Sequence, residues 1–456
     1  MMGRDSGCRW FEFILFITTI QASTTAVLSF ASSSPTTTTS SSMLFRLSRS
    51  TFTCWKRRHH DNSISVFSHR SISSSTGASV PANITLTKPY YKVYYNDVYR
   101  VDLPPKHRFP MEKYAQVRQQ VQTTIFNLPD SEKEKINCGM YVCMYVCMYV
   151  YMYACTRTYY VTAIRSHHTL SFCSLPEFAV SPLATVEELE TTHCKDYIQR
   201  FLKGDQTELE QRNVGFPWSL QGVDRALSSV GGTLAAACNV CEIWGLQQKQ
   251  GSPPWAAHLA GGTHHAFYDR GEGFSVFSDI AVAANVVLQR YPKIIRKILI
   301  VDLDVHQGNG NAVLFANNVN VNTFSIQCEG NYFSEKQKSD LDVELPIDCT
   351  DQTYLSTLNH WLKVVERQGG PYDLIFYQAG VDIIEHDRLG RMMISSEGVR
   401  RRNELVYEFA DRVNVPVVIC MGGGYPKNDN WKPIIDAHTT VYVQAHEFLR
   451  QRKRNA

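Results

Sequence analysis

From Trp255 to the end of the chain, short apolar runs alternate with amphipathic stretches, and that alternation leaves few folds open. The apolar runs are Trp255–Ala260, Lys297–Leu303, Val321–Ile326, Asp373–Gln378 and Val415–Met421. The stretches Ser278–Tyr291, Gln352–Gln368, Glu397–Val413 and Trp431–Leu449 carry helical periodicity instead. Strands that are apolar throughout, separated by helices, must be buried on both faces. The pattern therefore predicts a single three-layer α/β/α domain around a mostly parallel central sheet. Ligands of such sheets bind beyond the carboxyl ends of the strands, so the polar residues that close each run are the ones to read for chemistry.

The preceding part of the chain adds to the same domain, expected over residues 86–450. Tyr90–Val101, rich in Tyr and Val, predicts a strand, and Phe109-Pro110-Met111-Glu112-Lys113 opens a helix reaching about Phe126. Thr185 and Glu188 form a capping box ahead of one expected helix, Val186–Leu202. A further helix, Leu220–Cys241, contains Gly231-Gly232, which weakens it but permits close packing.

Two segments stand apart. Residues 1–85 hold eight Lys or Arg against three acids, with Ser/Thr runs such as Thr36–Ser42, the composition of an organellar transit peptide. Phe13–Ile20 could instead be the apolar core of a signal peptide, though Glu12 sits at its entry, and the run is too short to span a bilayer. The plain alternative is a disordered tail. Residues 132–175 include Met140–Tyr149, a four-residue repeat reading MYVCMYVCMY. A four-base DNA repeat such as ATGT translates this way, so simple-sequence DNA in a retained intron or misjoined exon is one source; a membrane-seeking hairpin is the other.

Outside the leader, basic and acidic residues nearly balance, and there is no basic stripe of the kind duplex binding requires. No direct nucleic-acid partner and no membrane span are expected. The thirteen cysteines are irregularly spaced, and five of them fall in 132–175. Cys238 and Cys241 form a CxxC inside an Ala-rich helical pattern with no second pair nearby, and are read as helix-core thiols rather than a zinc site, which would need four ligands.

The residues that carry chemistry follow the strands. Lys297–Leu303 runs into Asp302-Leu303-Asp304-Val305-His306 and the Gly-rich Gln307-Gly308-Asn309-Gly310. Strand period two would put Asp302, Asp304 and His306 on one side if the extended conformation persists. Acids at strand ends also cap following helices, but two carboxylates and an imidazole converging at one terminus are costly without a cation. A second strand ends in Gln378-Ala379-Gly380-Val381-Asp382. Asp304, His306 and Asp382 then make a three-ligand site with an open position, suited to catalytic zinc, with ferrous iron also compatible. Gly261-Gly262-Thr263-His264-His265 follows the first run; adjacent histidines are expected to point apart, and the pair is either ordinary surface or a pair of proton-handling groups. Met421-Gly422-Gly423-Gly424-Tyr425 lacks the Lys-Ser/Thr of a phosphate loop, so it reads as a turn delivering a phenol to a cleft.

These four motifs in order, over about residues 89–450, resemble the arginase–deacetylase superfamily, and specifically its class IV histone deacetylase branch, for which Asn309 is the marker. The resemblance implies hydrolysis of acyl-lysine in histones or other proteins, with Zn2+ on Asp304, His306 and Asp382 polarising the acyl carbonyl and acidifying water. It implies His265 as general base and then acid, paired with Asn309; His264 as an electrostatic partner paired with Asp302; and Tyr425 as donor to the oxyanion. Because Asn309 is neutral, His265 should titrate lower than it would beside an acid. The resemblance places Gly273 and Phe274 on one wall of the lysine tunnel, with Tyr332 or Phe333 opposite. It also places K+ on backbone carbonyls of Asp302, Asp304, His306, Ser325 and Ile326. An acetylpolyamine-type amidohydrolase, or an inactive splice form acting as a binding module, are the competing functions. The leader favours plastid or mitochondrion, the family nucleus or cytoplasm.

Overall fold

In the computed structural model of the chain, the strands are β1 Tyr91–Tyr95, β2 Glu177–Val180, β3 Trp255–His258, β4 Ile298–Asp302, β5 Val321–Cys328, β6 Leu341–Leu345, β7 Leu374–Gln378 and β8 Val417–Cys420. They form one eight-stranded sheet in the order β2-β1-β3-β8-β7-β4-β5-β6, every adjacent pair parallel. The structure describes residues 91–105, 107–126, 176–331 and 335–455, all within the compact unit Asn83–Ala456. The leader expected over 1–85 and the segment 132–175 lie outside the described residues.

Alternating side chains of each strand feed two cores. On β4, Leu299 and Val301 join the core under helices Lys113–Phe126, Asp351–Gly369, Ser396–Arg412 and Lys432–Asn455. Ile298 and Ile300 point the other way, into the core shared with helices Lys195–Lys203, Leu220–Leu246 and Asp279–Arg290. Each central strand is thus buried on both faces, which explains why its sequence is apolar throughout. Helix Leu220–Leu246 is long and apolar enough to cross a membrane by length and composition, but most of its apolar window is buried against the sheet and its neighbours. A Cβ on Gly231 would come within 2.0 Å of the Pro182 carbonyl oxygen, so the glycine permits the close approach expected of it. Cys241 is buried in the same core and Cys238 packs against it, both as free thiols.

Two expectations are corrected, and two strands are added. The single helix Val186–Leu202 is broken into Val186–Leu189, capped by Thr185 and Glu188 as anticipated, and Lys195–Lys203. His193 pulls the chain out of the helix: its Nδ1 lies 2.7 Å from the Phe267 carbonyl oxygen, and its Nε2 accepts from the Ser278 N–H at 3.0 Å. The strand expected over Tyr90–Val101 stops at Tyr95. Strands β2 and β6 were not foreseen, because each is a sheet edge with one neighbour and carries half-exposed, partly polar residues in place of an apolar run.

Candidate metal centre and the groups around it

The four central strands β3, β8, β7 and β4 release their carboxyl ends side by side, and each is followed by one of the polar motifs. After β4 the extended conformation does not persist. Asp302 Oδ1 accepts the Asp304 N–H at 3.2 Å and Asp304 Oδ1 accepts the His306 N–H at 3.1 Å, so each acid curls the chain two residues ahead. Asp304 and His306 therefore reach the cleft by successive turns and not by strand alternation, which corrects the basis of that expectation.

The turns deliver a tight trio. His306 Nδ1 lies 3.3 Å from Asp304 Oδ1 and 3.2 Å from Asp382 Oδ2, and all three residues are buried. Ligands held tetrahedrally at roughly 2.0–2.1 Å from a zinc-sized ion stand about 3.3 Å apart, so the separation and the donor set both fit one divalent cation. The outer oxygens are held by the protein. Asp304 Oδ2 accepts from Gln378 Nε2 at 2.9 Å and the Gly423 N–H at 2.8 Å, and Asp382 Oδ1 accepts from the Val305 N–H at 3.0 Å. Such bonds orient ligand oxygens before a cation arrives. With protons as the only cations, burial opposes charge on His306, yet hydrogen bonds to Asp304 and Asp382 push its pKa up to about 10. Burial and the charge of Asp304 push Asp382 up to about 6.

Beside the trio sit His264 and His265. Their rings lie 4.0 Å apart at 46°, together and not pointing apart as expected of adjacent residues. The reason is the backbone: Gly261 and Gly262 take φ of 75° and 78°, and the His264 N–H turns back to the Gly262 carbonyl, so no strand alternation operates. His264 Nδ1 faces Asp302 Oδ2 at 2.7 Å. Burial disfavours its charge, but Asp302 and Asp304 outweigh that and raise its pKa to about 9. His265 Nδ1 faces Asn309 Oδ1 at 2.8 Å. Burial, then the charges of His264 and His306, hold its pKa well below the usual value, and the Asn309 bond only partly offsets them. The Asn309 amide is oriented by its neighbours: Oδ1 also accepts the Gly310 N–H at 3.0 Å, and Nδ2 donates to Glu272 Oε1 at 3.4 Å. Oδ1 thus faces His265, which donates from Nδ1 and presents Nε2 as the acceptor of the neutral ring.

Tyr425 closes the cleft. Burial and the charges of Asp382 and Asp304 raise its phenol well above the usual range, so it keeps its proton as a donor. Phe274 stands across from it with ring centroids 6.0 Å apart. Gly273 and Phe274 both have positive φ, 54° and 64°, and their N–H groups donate to the Asn213 and Val214 carbonyls, which hold the aromatic in a backbone region it rarely occupies. Tyr332 and Phe333, expected opposite, lie outside the described residues. Sequence reading missed Phe109 and Phe216, whose rings pack 4.8 Å apart and reach Phe274 at 5.2 and 5.4 Å. It also missed Lys113 and Arg225, which line the same cleft. The segment His107–Lys113 was legible only as a helix entry, because its partners come from distant parts of the chain. Ser325 pairs with Asp302 across β4 and β5, and its hydroxyl donates to Gln327 Oε1 at 2.7 Å; Ile326 follows on β5.

Residues 156–442 match the family model described as the histone deacetylase domain. Among curated proteins, the chain is 43% identical over 267 residues to an uncharacterized protein of a Picosynechococcus strain, covering 59% of this chain and 81% of that one. It is 33% identical over 223 residues to Histone deacetylase 2 of Arabidopsis thaliana, covering 48% of this chain and about half, 52%, of that protein's length. Among solved structures, the crystal structure of an HDAC homolog complexed with SAHA shares the fold at a TM-score of 0.55 and 20% identity, over 79% of this chain and 84% of that one.

Proposed function

We propose, from the premise that this chain belongs to the histone deacetylase domain family, that it is a zinc-dependent lysine deacylase of the class IV kind. The observation that carries the reading is the approach of Asp304 Oδ1 and Asp382 Oδ2 to His306 Nδ1 at 3.3 and 3.2 Å, with all three ligand atoms within 4.8 Å of one another, beside two imidazoles of opposite character. Asp304, His306 and Asp382 would hold a Zn2+ ion, which would supply a Lewis acid for the acyl carbonyl and lower the pKa of water.

The chain's own groups divide the remaining work. His265, kept neutral by burial and by an amide partner, takes the proton of the attacking water at Nε2 and then gives it to the departing lysine amine. His264, held cationic by Asp302, stays charged through the cycle and offsets the negative charge that develops beside it. Tyr425 donates its phenolic proton in a hydrogen bond to the oxyanion. Phe274, with Phe109 and Phe216, offers an aromatic face to the lysine methylenes. A K+ ion on the carbonyls of Asp302, Asp304, His306, Ser325 and Ile326 is part of the same reading. The substrate is an acylated lysine of a histone or another protein.

The test is turnover by the full chain of acetyl-lysine and myristoyl-lysine peptides against acetylated polyamines, before and after chelation. Hydrolysis of an acyl-lysine peptide that disappears on chelation and returns with Zn2+ supports the reading. Turnover of polyamines alone, or of nothing after metal loading, overturns it.

A further inference from the structure

Tyr425 leaves a turn of three glycines that is pinned as far as Gly424: Lys113 Nζ donates to the Gly422 and Gly424 carbonyls, both at 3.2 Å, and the Gly423 N–H donates to Asp304 Oδ2 at 2.8 Å. At Tyr425 itself the grip comes from a different segment. Asp387 Oδ2 accepts the Tyr425 N–H at 2.6 Å, and the neighbouring Arg388 N–H donates to the Tyr425 carbonyl at 3.0 Å. Asp387 also bridges Pro426 in antiparallel fashion, so the main chain on both sides of the phenol is clamped.

The other oxygen of Asp387 closes its own turn, accepting the Leu389 N–H at 2.7 Å and the Gly390 N–H at 2.8 Å. That turn is seated on the metal trio. A Cβ on Gly390 would lie 1.6 Å from the Asp382 carbonyl oxygen, so only glycine permits the contact. The Leu389 carbonyl accepts from Asn331 Nδ2 at 2.8 Å, and the same Nδ2 lies 3.4 Å from His306 Nε2. One four-residue turn, 387–390, thus touches the main chain of one trio member, reaches a second through Asn331, and holds the tyrosine. Asp387 is 3% exposed. Closing the turn needs only the Leu389 and Gly390 bonds, which a neutral acceptor such as Asn or Ser provides as readily. Those bonds use Oδ1 alone, and Oδ2 is given to the Tyr425 N–H.

We propose that Asp387 is a positioning residue that sets the Tyr425 phenol against the metal trio. The proposal rests on Tyr425 being the oxyanion donor. Asp387 does not touch substrate; it acts by fixing a distance, and small misplacements of such donors are expensive in rate.

The test uses the full, metal-loaded chain and four proteins: the unaltered chain, Y425F, D387N and the double variant. In D387N the amide oxygen retains an acceptor for Leu389 and Gly390, while the amide nitrogen opposes the Tyr425 N–H. Each single variant is expected to lower kcat/KM on an acyl-lysine peptide by roughly 10- to 100-fold, in kcat more than in KM. The double variant should fall no further than Y425F, because Asp387 has nothing left to position. Hydrogen exchange at residues 422–426 should rise in D387N with metal content unchanged. Losses that multiply in the double variant, or a D387N chain with unaltered rate or exchange, overturn the proposal. If Y425F alone keeps full activity, the oxyanion reading fails, and the exchange result still decides whether Asp387 holds the tyrosine. Should D387N not fold, D387S closes the turn with a shorter side chain and faces the same criteria.

Discussion

Replacing Asn309 with Asp isolates the feature that separates the two histidines. In the unaltered chain His265 faces an amide oxygen at 2.8 Å, while His264 faces a carboxylate at 2.7 Å. Both rings are buried to the same degree, yet His264 is raised to about 9 and His265 is held well below its usual value. The contrast combines the facing group with other charges: Asp304 also raises His264, and the charges of His264 and His306 also lower His265. An opposite charge at hydrogen-bond distance shifts a pKa by about 1–3 units, each unit being about 1.4 kcal/mol. His264, His306, Asp304 and Glu272 also face this position, and all stay in place. Glu272 loses the Asn309 Nδ2 donor at 3.4 Å and faces a like charge, which works against ionisation of the new acid and trims the shift toward the lower end of that range. The sign follows: a general base works in its neutral form, so a raised pKa moves the acid limb to higher pH. The assay is kcat/KM for an acyl-lysine peptide between about pH 5 and 9, the range in which imidazoles titrate. N309D should move the acid limb up by about 1–3 pH units, with the plateau above it retained. An acid limb that stays put, or moves down, refutes His265 as the base tuned by Asn309.

Two further perturbations test the scaffold. Gly262→Ala puts a Cβ 2.7 Å from the Gly422 backbone nitrogen at a φ of 78°, which should cost at least about 1–2 kcal/mol in denaturant unfolding and lower kcat as the histidines shift; unaltered stability would show that this turn is not fixed as described. Asp97→Ala strips the carboxylate that accepts from Arg118 Nε at 2.9 Å, both side chains being under a tenth exposed, and should lower stability by about 3 kcal/mol, whereas a change under about 1 kcal/mol would mean that the guanidinium finds water.

The fold was legible where burial is two-sided. Ile298–Asp302 and Val417–Cys420 announce themselves because both faces of a central strand must be apolar. Glu177–Val180 and Leu341–Leu345 did not, because an edge strand satisfies its one neighbour with fewer apolar residues. The break at Thr191–Cys194 was hidden for another reason: local propensity favours helix there, and the competing bonds of His193 come from residues more than seventy positions away. The site follows the same division. Asp304, His306, Asp382, His264, His265 and Tyr425 sit next to strand ends, and position alone marks them. Asp387, Phe109 and Phe216 lie on connecting segments and Lys113 opens a helix; their partners are set by the assembled sheet, and nothing local distinguishes them. The turn geometry of Asp304 and His306 shows the limit from the other side: the residues were correctly grouped, but by a periodicity that the chain abandons at Asp302.

One ion held by three side chains is the centre of the proposed chemistry. Metal analysis of the purified full chain, with X-ray absorption at the bound metal, should find one equivalent of a divalent ion on a single imidazole nitrogen and carboxylate oxygens, and Asp382→Ala should lose both the ion and acyl-lysine hydrolysis. A chain that hydrolyses acyl-lysine with no stoichiometric metal, or binds its metal through sulfur, contradicts it.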